Sequence, residues 1–191
     1  MSTVKKQVNG FVLAGGKSSR MGEDKSTLEL KGKMMISYSI EALQSVCQSV
    51  SIISNSDRYA HFIYPVYRDD VQEKGPLAGI LTGLRLSDTD FNLFVSCDVP
   101  AIQPSLLSYL IEQSEGYDAV VPYFGEKGHP LVALYSKNCI AAFENCIAKD
   151  QLKMMDAIEK VKINKLQLDG LFDERTLSNI NTMKEFLSHA G

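Results

Sequence analysis

GFVLAGGKSSRMGEDK, residues 10–25, is the stretch that decides how this chain reads. Its first five residues are small or apolar throughout, as in a strand buried on both faces. Gly15 and Gly16 follow at once, then Ser18 and Ser19 among the cations Lys17, Arg20 and Lys25. Glycine has no Cβ, so the backbone can adopt φ > 0 and approach a ligand closely. Successive N–H groups can then converge on an anion. The three cations add charge that a neutral turn does not need, although lone loop cations are commonly just solvated. A buried strand running straight into such a loop suits an α/β fold that cradles phosphate or another small anion at its sheet edge.

Two familiar phosphate-binding patterns fail here. The dinucleotide fingerprint GxGxxG needs alternating glycines, but Gly15 and Gly16 are adjacent and position 18 is serine. The Walker A pattern GxxxxGK[ST] matches Gly16-Lys17-Ser18, but it needs glycine five positions before Gly16, where Phe11 stands inside the strand.

Strand-like and helix-like stretches alternate along the rest of the chain. Residues 35–47 place Ile36, Ile40, Leu43 and Cys47 at helical spacing. Residues 50–53 read as a second strand closed by the polar turn 54–57, and residues 66–67 as a short weak one. Pro76 stands where a helix begins, with residues 77–86 as its body. NLFVSC, residues 92–97, reads as a buried strand ending at Asp98. A helix carrying Leu106, Leu107, Leu110 and Ile111 follows, then strands at 119–122 and 131–135 and a helix near 140–148. A helix near 152–158, a strand near 161–168 and a closing helix at 183–187 complete the pattern. Such alternation implies a Rossmann-like three-layer α/β/α fold with a mostly parallel sheet. Ligands of these sheets bind beyond the carboxyl ends of the strands. That rule gathers residues 15–25, Asn55, Asp69, Asp70 and Asp98 on one edge.

A length of 191 residues suits one domain, with a nucleotide-binding part at about 8–100 and an acceptor-binding part at about 101–191. A formal net charge of -3 argues against nucleic acid as a partner, because phosphate backbones favour a basic face. A basic loop in an acidic chain suits a small anionic ligand instead. Cys47, Cys97, Cys139 and Cys146 form no CxxC pair and read as small buried hydrophobes in a reducing cytoplasm. The polar first ten residues hold no secretory apolar core, and no apolar run nears the ~20 residues of a membrane span. The three scattered histidines make a zinc site an unfavoured reading.

Every fixed position of a third pattern, LxGGxxxRMGxDK, is filled by residues 13–25. The segment resembles the signature of nucleotidyltransferases with a Rossmann-like fold, and within them the molybdenum cofactor guanylyltransferases. Further blocks extend the resemblance over nearly the whole chain: LELKGK (28–33), GPLAGI (75–80), CDVP (97–100), GEKGHPL (125–131) and NINT (179–182). The resemblance implies the nucleotide-diphospho-sugar transferase type of fold. It also implies transfer of GMP from GTP to molybdopterin, with Mg²⁺ as cofactor. Molybdoenzyme apoproteins or other cofactor-biosynthesis proteins are the further partners it suggests. The double glycine together with GPLAG favours the guanylyl branch, since relatives using CTP resemble LAAG at that place.

Nucleotidyl transfer requires a held triphosphate, an exposed α-phosphorus and neutralised charge on the departing pyrophosphate. Arg20 offers a planar fork for oxyanions and Lys25 a point charge. Asp98 suits Mg²⁺, which takes one or two carboxylates plus phosphate oxygens and water. Capping the helix beyond Pro100 is its competing role. Asp70, with Asp69 as the register alternative, offers an acceptor carboxylate for guanine or ribose, or is a solvated loop acid. By resemblance the nucleotide also contacts Leu13, Ala14, Gly15 and Gly16, an asparagine placed at Asn55 (with Ser54 in the adjacent register), and Gly75. Asn179 and Asn181 match the family's paired asparagines, which by the resemblance reach the acceptor, although asparagines closing a strand are turn formers just as often. Glu126, Lys127 and His129 are further candidates there, though a lone histidine is commonly structural. Where relatives carry arginines before the late helix, this chain has Asp150-Gln151-Leu152-Lys153, with Lys153 as the substitute phosphate contact. Two rival functions remain: transfer from CTP or to another phosphorylated acceptor such as a sugar phosphate, and nucleotide or cofactor binding without catalysis.

Overall fold

A computed structural model of the chain describes residues 6–15, 29–69 and 74–180. The first half runs β1 (Val8–Leu13), β2 (Glu29–Leu30), β3 (Lys33–Met34), α1 (Met35–Gln44), β4 (Ser49–Ile53), β5 (Val66–Tyr67), α2 (Gly75–Leu86) and β6 (Phe91–Ser96). The second half runs α3 (Pro104–Glu112), β7 (Ala119–Phe124), β8 (Lys127–Gly128), β9 (Val132–Ser136), α4 (Ile140–Ala148), α5 (Met154–Ile158) and β10 (Ile163–Gln167). The main sheet has the order β10-β7-β9-β6-β1-β4-β5, with β8 attached to β7. β1 pairs in parallel with β4 and β6, as do β4 with β5 and β7 with β10. β9 runs antiparallel to both its neighbours, β6 and β7.

Strand alternation divides the core into two layers. Val8 and Val12 of β1, Leu93 and Val95 of β6 and Leu134 of β9 face the side holding Ile40 and Leu43 of α1 and Leu107 of α3. Phe11 and Leu13, Phe94, and Ala133 and Tyr135 face the opposite side, with Leu81 of α2, Phe143 of α4 and Ile158 of α5. The expected three-layer α/β/α arrangement is therefore present. α2 lies close on its strands because of Gly83, where a Cβ would come within 2.6 Å of the Phe94 ring.

The buried strands and long helices stand near where their patterns place them. The antiparallel sense of β9 is a refinement of the mostly parallel sheet. The link from Phe124 to Val132 is too short for a parallel crossover, which needs about a dozen residues. β8 and the β2–β3 hairpin are additions, because two-residue strands carry no measurable period. The helix expected at 183–187 lies outside the described residues. All four cysteines are free thiols. Burial pushes those of Cys47 and Cys139 up to about 12, in keeping with inert core residues.

Candidate active site at the carboxyl edge of the sheet

β1 and β6 lie side by side, while the chain between them visits β4 and β5 on the far side of β1. Connections thus leave β1 and β6 in opposite directions, and the crevice this opens is where α/β sheets hold ligands. Backbone hydrogen bonds fix its floor. Ala14 N donates to Ile53 O at 2.9 Å, and Cys97 N donates to Leu13 O at 3.1 Å. Ser54 Oγ donates to Ala14 O at 2.8 Å. Leu13 and Ala14 are thus tied between the ends of β4 and β6. Gly15 is exposed, with open space where a Cβ would lie, and the chain leaves the sheet there. Gly16, Arg20 and Lys25, with Lys17, lie outside the described residues, as do Asp70 and Asn181.

The second strand end separates Ser54 from Asn55. Ser54 is buried and bonds inward, whereas Asn55 is exposed at the rim. Asn55 is clasped to Asp69: its Nδ2 donates to Asp69 Oδ2 at 3.2 Å, and Asp69 N donates to Asn55 Oδ1 at 2.9 Å. Asp69 reaches back over α2, where its Oδ1 would stand 3.3 Å from a Cβ on Gly79. Gly79 is therefore a point of close approach that brings the start of α2 against Asp69 and Leu13. Gly75 opens that helix, is exposed, and has φ +68°.

Asp98 follows β6, half-buried in a turn held from several sides. Ser96 Oγ donates to its Oδ1 at 2.6 Å. Ile180 N donates to its backbone O at 2.9 Å, which places Asn179 and Ile180 beside the turn. Asn179 also lines a cavity of about 610 Å³, together with Pro76, Lys127, His129, Pro130 and Met154. Pro76 belongs to the first turn of α2, so this cavity adjoins the crevice. Asp98 and Asn179 are thus brought together from positions far apart in the chain, with Gly15, Asn55, Asp69 and Gly75 at the same edge. Among the described residues, no three His, Cys, Asp or Glu side chains cluster as a metal cage. Asp98 offers a cation here a carboxylate, and one or two carboxylates with phosphate and water form the donor set that suits Mg²⁺.

Three features near the cavity have weak or no signatures in the sequence. His129 Nε2 and Tyr123 Oη are buried with no hydrogen-bond partner. Burial holds the His129 imidazole below its ordinary range, Lys127 adds to the effect, and Glu174 opposes it. The third is Ser96, whose only signal is its place two residues before Asp98. Lys153 is exposed at the N-cap of α5, next to the cavity-lining Met154. Asp150 in the same loop is paired with Lys74, before α2, at 2.7 Å.

A crevice at the sheet's switch point, a carboxylate just beyond β6 and an adjoining cavity of about 610 Å³ fit a nucleotide-handling α/β transferase. The chain belongs to the MobA-like NTP transferase domain family, whose model matches residues 10–163. A probable molybdenum cofactor guanylyltransferase of Flavobacterium johnsoniae is 37% identical over 176 residues, covering 92% of each chain. One from Pelotomaculum thermopropionicum is 36% identical, over 95% of this chain and 91% of that one. Among solved structures, a molybdopterin-guanine dinucleotide biosynthesis protein A from Archaeoglobus fulgidus superposes with TM-score 0.83 at 23% identity, over 95% and 96% of the two chains. A protein from Aquifex aeolicus superposes with TM-score 0.80 at 30% identity, over 94% and 96%. By family the chain is a nucleotidyltransferase of molybdenum cofactor biosynthesis. Among the described residues, no helix is long and apolar enough to cross a membrane.

Proposed function

We propose that this chain transfers GMP from GTP to molybdopterin carrying molybdate, acting in the cytoplasm. Pyrophosphate is released and the guanine dinucleotide form of the cofactor is made. The observation that carries this reading is the hydrogen bond from Ile180 N to Asp98 O. It joins the turn at the nucleotide end of β6 to the segment that lines the acceptor cavity.

An oxygen of the acceptor's phosphate attacks the α-phosphorus of GTP. One P–O bond forms and the bond to pyrophosphate breaks, so no covalent nucleophile is needed from the protein. Gly15, Gly16 and the loop after them hold the triphosphate, with Arg20 and Lys25 countering the charge gathering on pyrophosphate. The Asn55–Asp69 clasp presents an amide and a carboxylate to base or ribose, with Asp70 as the adjacent acid. Asp98 would hold Mg²⁺, which when bound supplies Lewis-acid stabilisation of phosphate charge. Asn179 and Asn181 orient the acceptor, and His129, with its unpartnered buried Nε2, lines the cavity. The same chemistry makes molybdoenzyme apoproteins the natural recipients of the product.

Asp98→Ala tests the assignment. Pyrophosphate release with GTP, Mg²⁺ and molybdopterin should fall at least ~100-fold, the scale of losing a principal electrostatic contributor. The melting temperature should be nearly unchanged. Turnover within a few-fold of the parent would remove Asp98 from the mechanism.

A further inference from the structure

Asp98 has two carboxylate oxygens in unlike surroundings. Oδ1 accepts the Ser96 hydroxyl at 2.6 Å, and Oδ2 has no hydrogen bond among the described residues. The hydroxyl is held in turn. Ser96 is 8% exposed, ends β6 opposite Leu13 of β1, and donates its N–H to Leu131 O at 2.9 Å. Its carbonyl accepts Ser39 Oγ at 2.9 Å, from a residue of α1 that is fully buried. β1, the residue preceding β9 and α1 therefore converge on a single serine, whose hydroxyl is aimed at the acid.

We propose that Ser96 is the positioning residue for the cation-binding carboxylate. This rests on the reading of Asp98 given above. A hydroxyl-to-carboxylate bond of this length is charge-assisted and among the stronger kinds. It fixes the rotation of the Asp98 side chain, and with it the position of Oδ2, the oxygen left for a cation. Ile180 N fixes the backbone of the same residue, so neither the main chain nor the side chain is left to be ordered when a cation arrives. Outer partners of this kind orient first ligands, and their loss typically costs ~10–100-fold in metal affinity.

The test uses the full chain and a GTP analogue with a non-cleavable α–β bridge. Its affinity is measured by calorimetry with Mn²⁺ and again in EDTA, and the ratio is the enhancement due to the cation. In Ser96→Ala this enhancement should drop about tenfold or more, with the EDTA affinity within about twofold of the parent. Ser96→Thr, which keeps the hydroxyl, should restore it. Ser96→Cys is nearly isosteric but only a weak donor. It should behave as Ser96→Ala does, and it carries the same expectation if the alanine variant does not fold. An unchanged enhancement in Ser96→Ala or Ser96→Cys would overturn the inference. So would an equal loss with and without cation that threonine does not repair, because that marks a merely structural hydroxyl. Asp98→Asn separates the two levels. If it loses the enhancement while the Ser96 variants keep it, Ser96 alone is removed. If it keeps the enhancement, the reading of Asp98 falls and Ser96 falls with it.

Discussion

His129 illustrates what a single residue contributes and how it is disclosed. Its Nε2 is buried without a partner, and burial holds the imidazole below its ordinary range near 6.5. Below that pH the unfolded chain takes up a proton that the folded one resists. Stability should therefore fall as pH drops from about 6.5 toward the lowered folded value, and be level above it. Chemical denaturation across pH 5–8 checks this, with His129→Asn expected to flatten the acid side. The same residue at the cavity wall should raise the acceptor's KM when replaced, leaving GTP's KM unchanged. The sequence named His129 as a candidate but could not show its orphaned nitrogen, which depends on the fold that ties its backbone N–H to Pro122 O and sets its ring at a right angle to that of Phe124. Asp98 was legible because a carboxylate after a buried strand has no packing reason to be there. Ser96 was not, because a small hydroxyl inside an apolar run reads equally well as filler. The Asn55–Asp69 clasp was half legible: each residue was a candidate, and only the pairing of β4 with β5 brings them within reach.

At the scale of elements, the end of the sheet opposite the site is stitched by Asn9 of β1. Its Nδ2 donates to Ser87 Oγ at 2.9 Å and Asp88 Oδ1 at 2.7 Å, and its Oδ1 accepts Ser49 Oγ at 2.7 Å. One amide thus ties β1 to β4 and to the link between α2 and β6. Asn9→Ala removes the three hydrogen bonds of a buried amide and should cost about 1–3 kcal/mol in urea unfolding, with KM values for both substrates unchanged. Strands and helices at this scale were legible because apolar runs and helical spacing mark a buried layer. Direction was less so, since alternation does not encode it. The sense of β9 follows from the short link that precedes it, which the bare pattern leaves unremarked. The β2–β3 hairpin turns at Lys31 and Gly32, with φ of 54° and 74°. Its signal is the turn rather than the two-residue strands.

Across the whole molecule, the described residues before and after position 100 share one sheet and two continuous core layers. β6 of the first part pairs with β9 of the second, and both layers draw residues from each part. Unfolding should therefore be a single calorimetric transition rather than two. GTP with Mg²⁺ at about a hundred times its dissociation constant should stabilise the fold by about 2.7 kcal/mol. For a chain of this size that is a rise of roughly 5–10 °C in Tm. CTP at equal concentration should give a clearly smaller shift.

The most direct measurement incubates the purified chain with GTP, Mg²⁺ and molybdopterin carrying molybdate, and follows pyrophosphate and the dinucleotide product together. The two should form in equal amounts, with GTP far ahead of CTP and with both lost in Asp98→Ala. Pyrophosphate and dinucleotide formed equally well from CTP, or no dinucleotide from a folded chain that binds GTP, would contradict the proposed function.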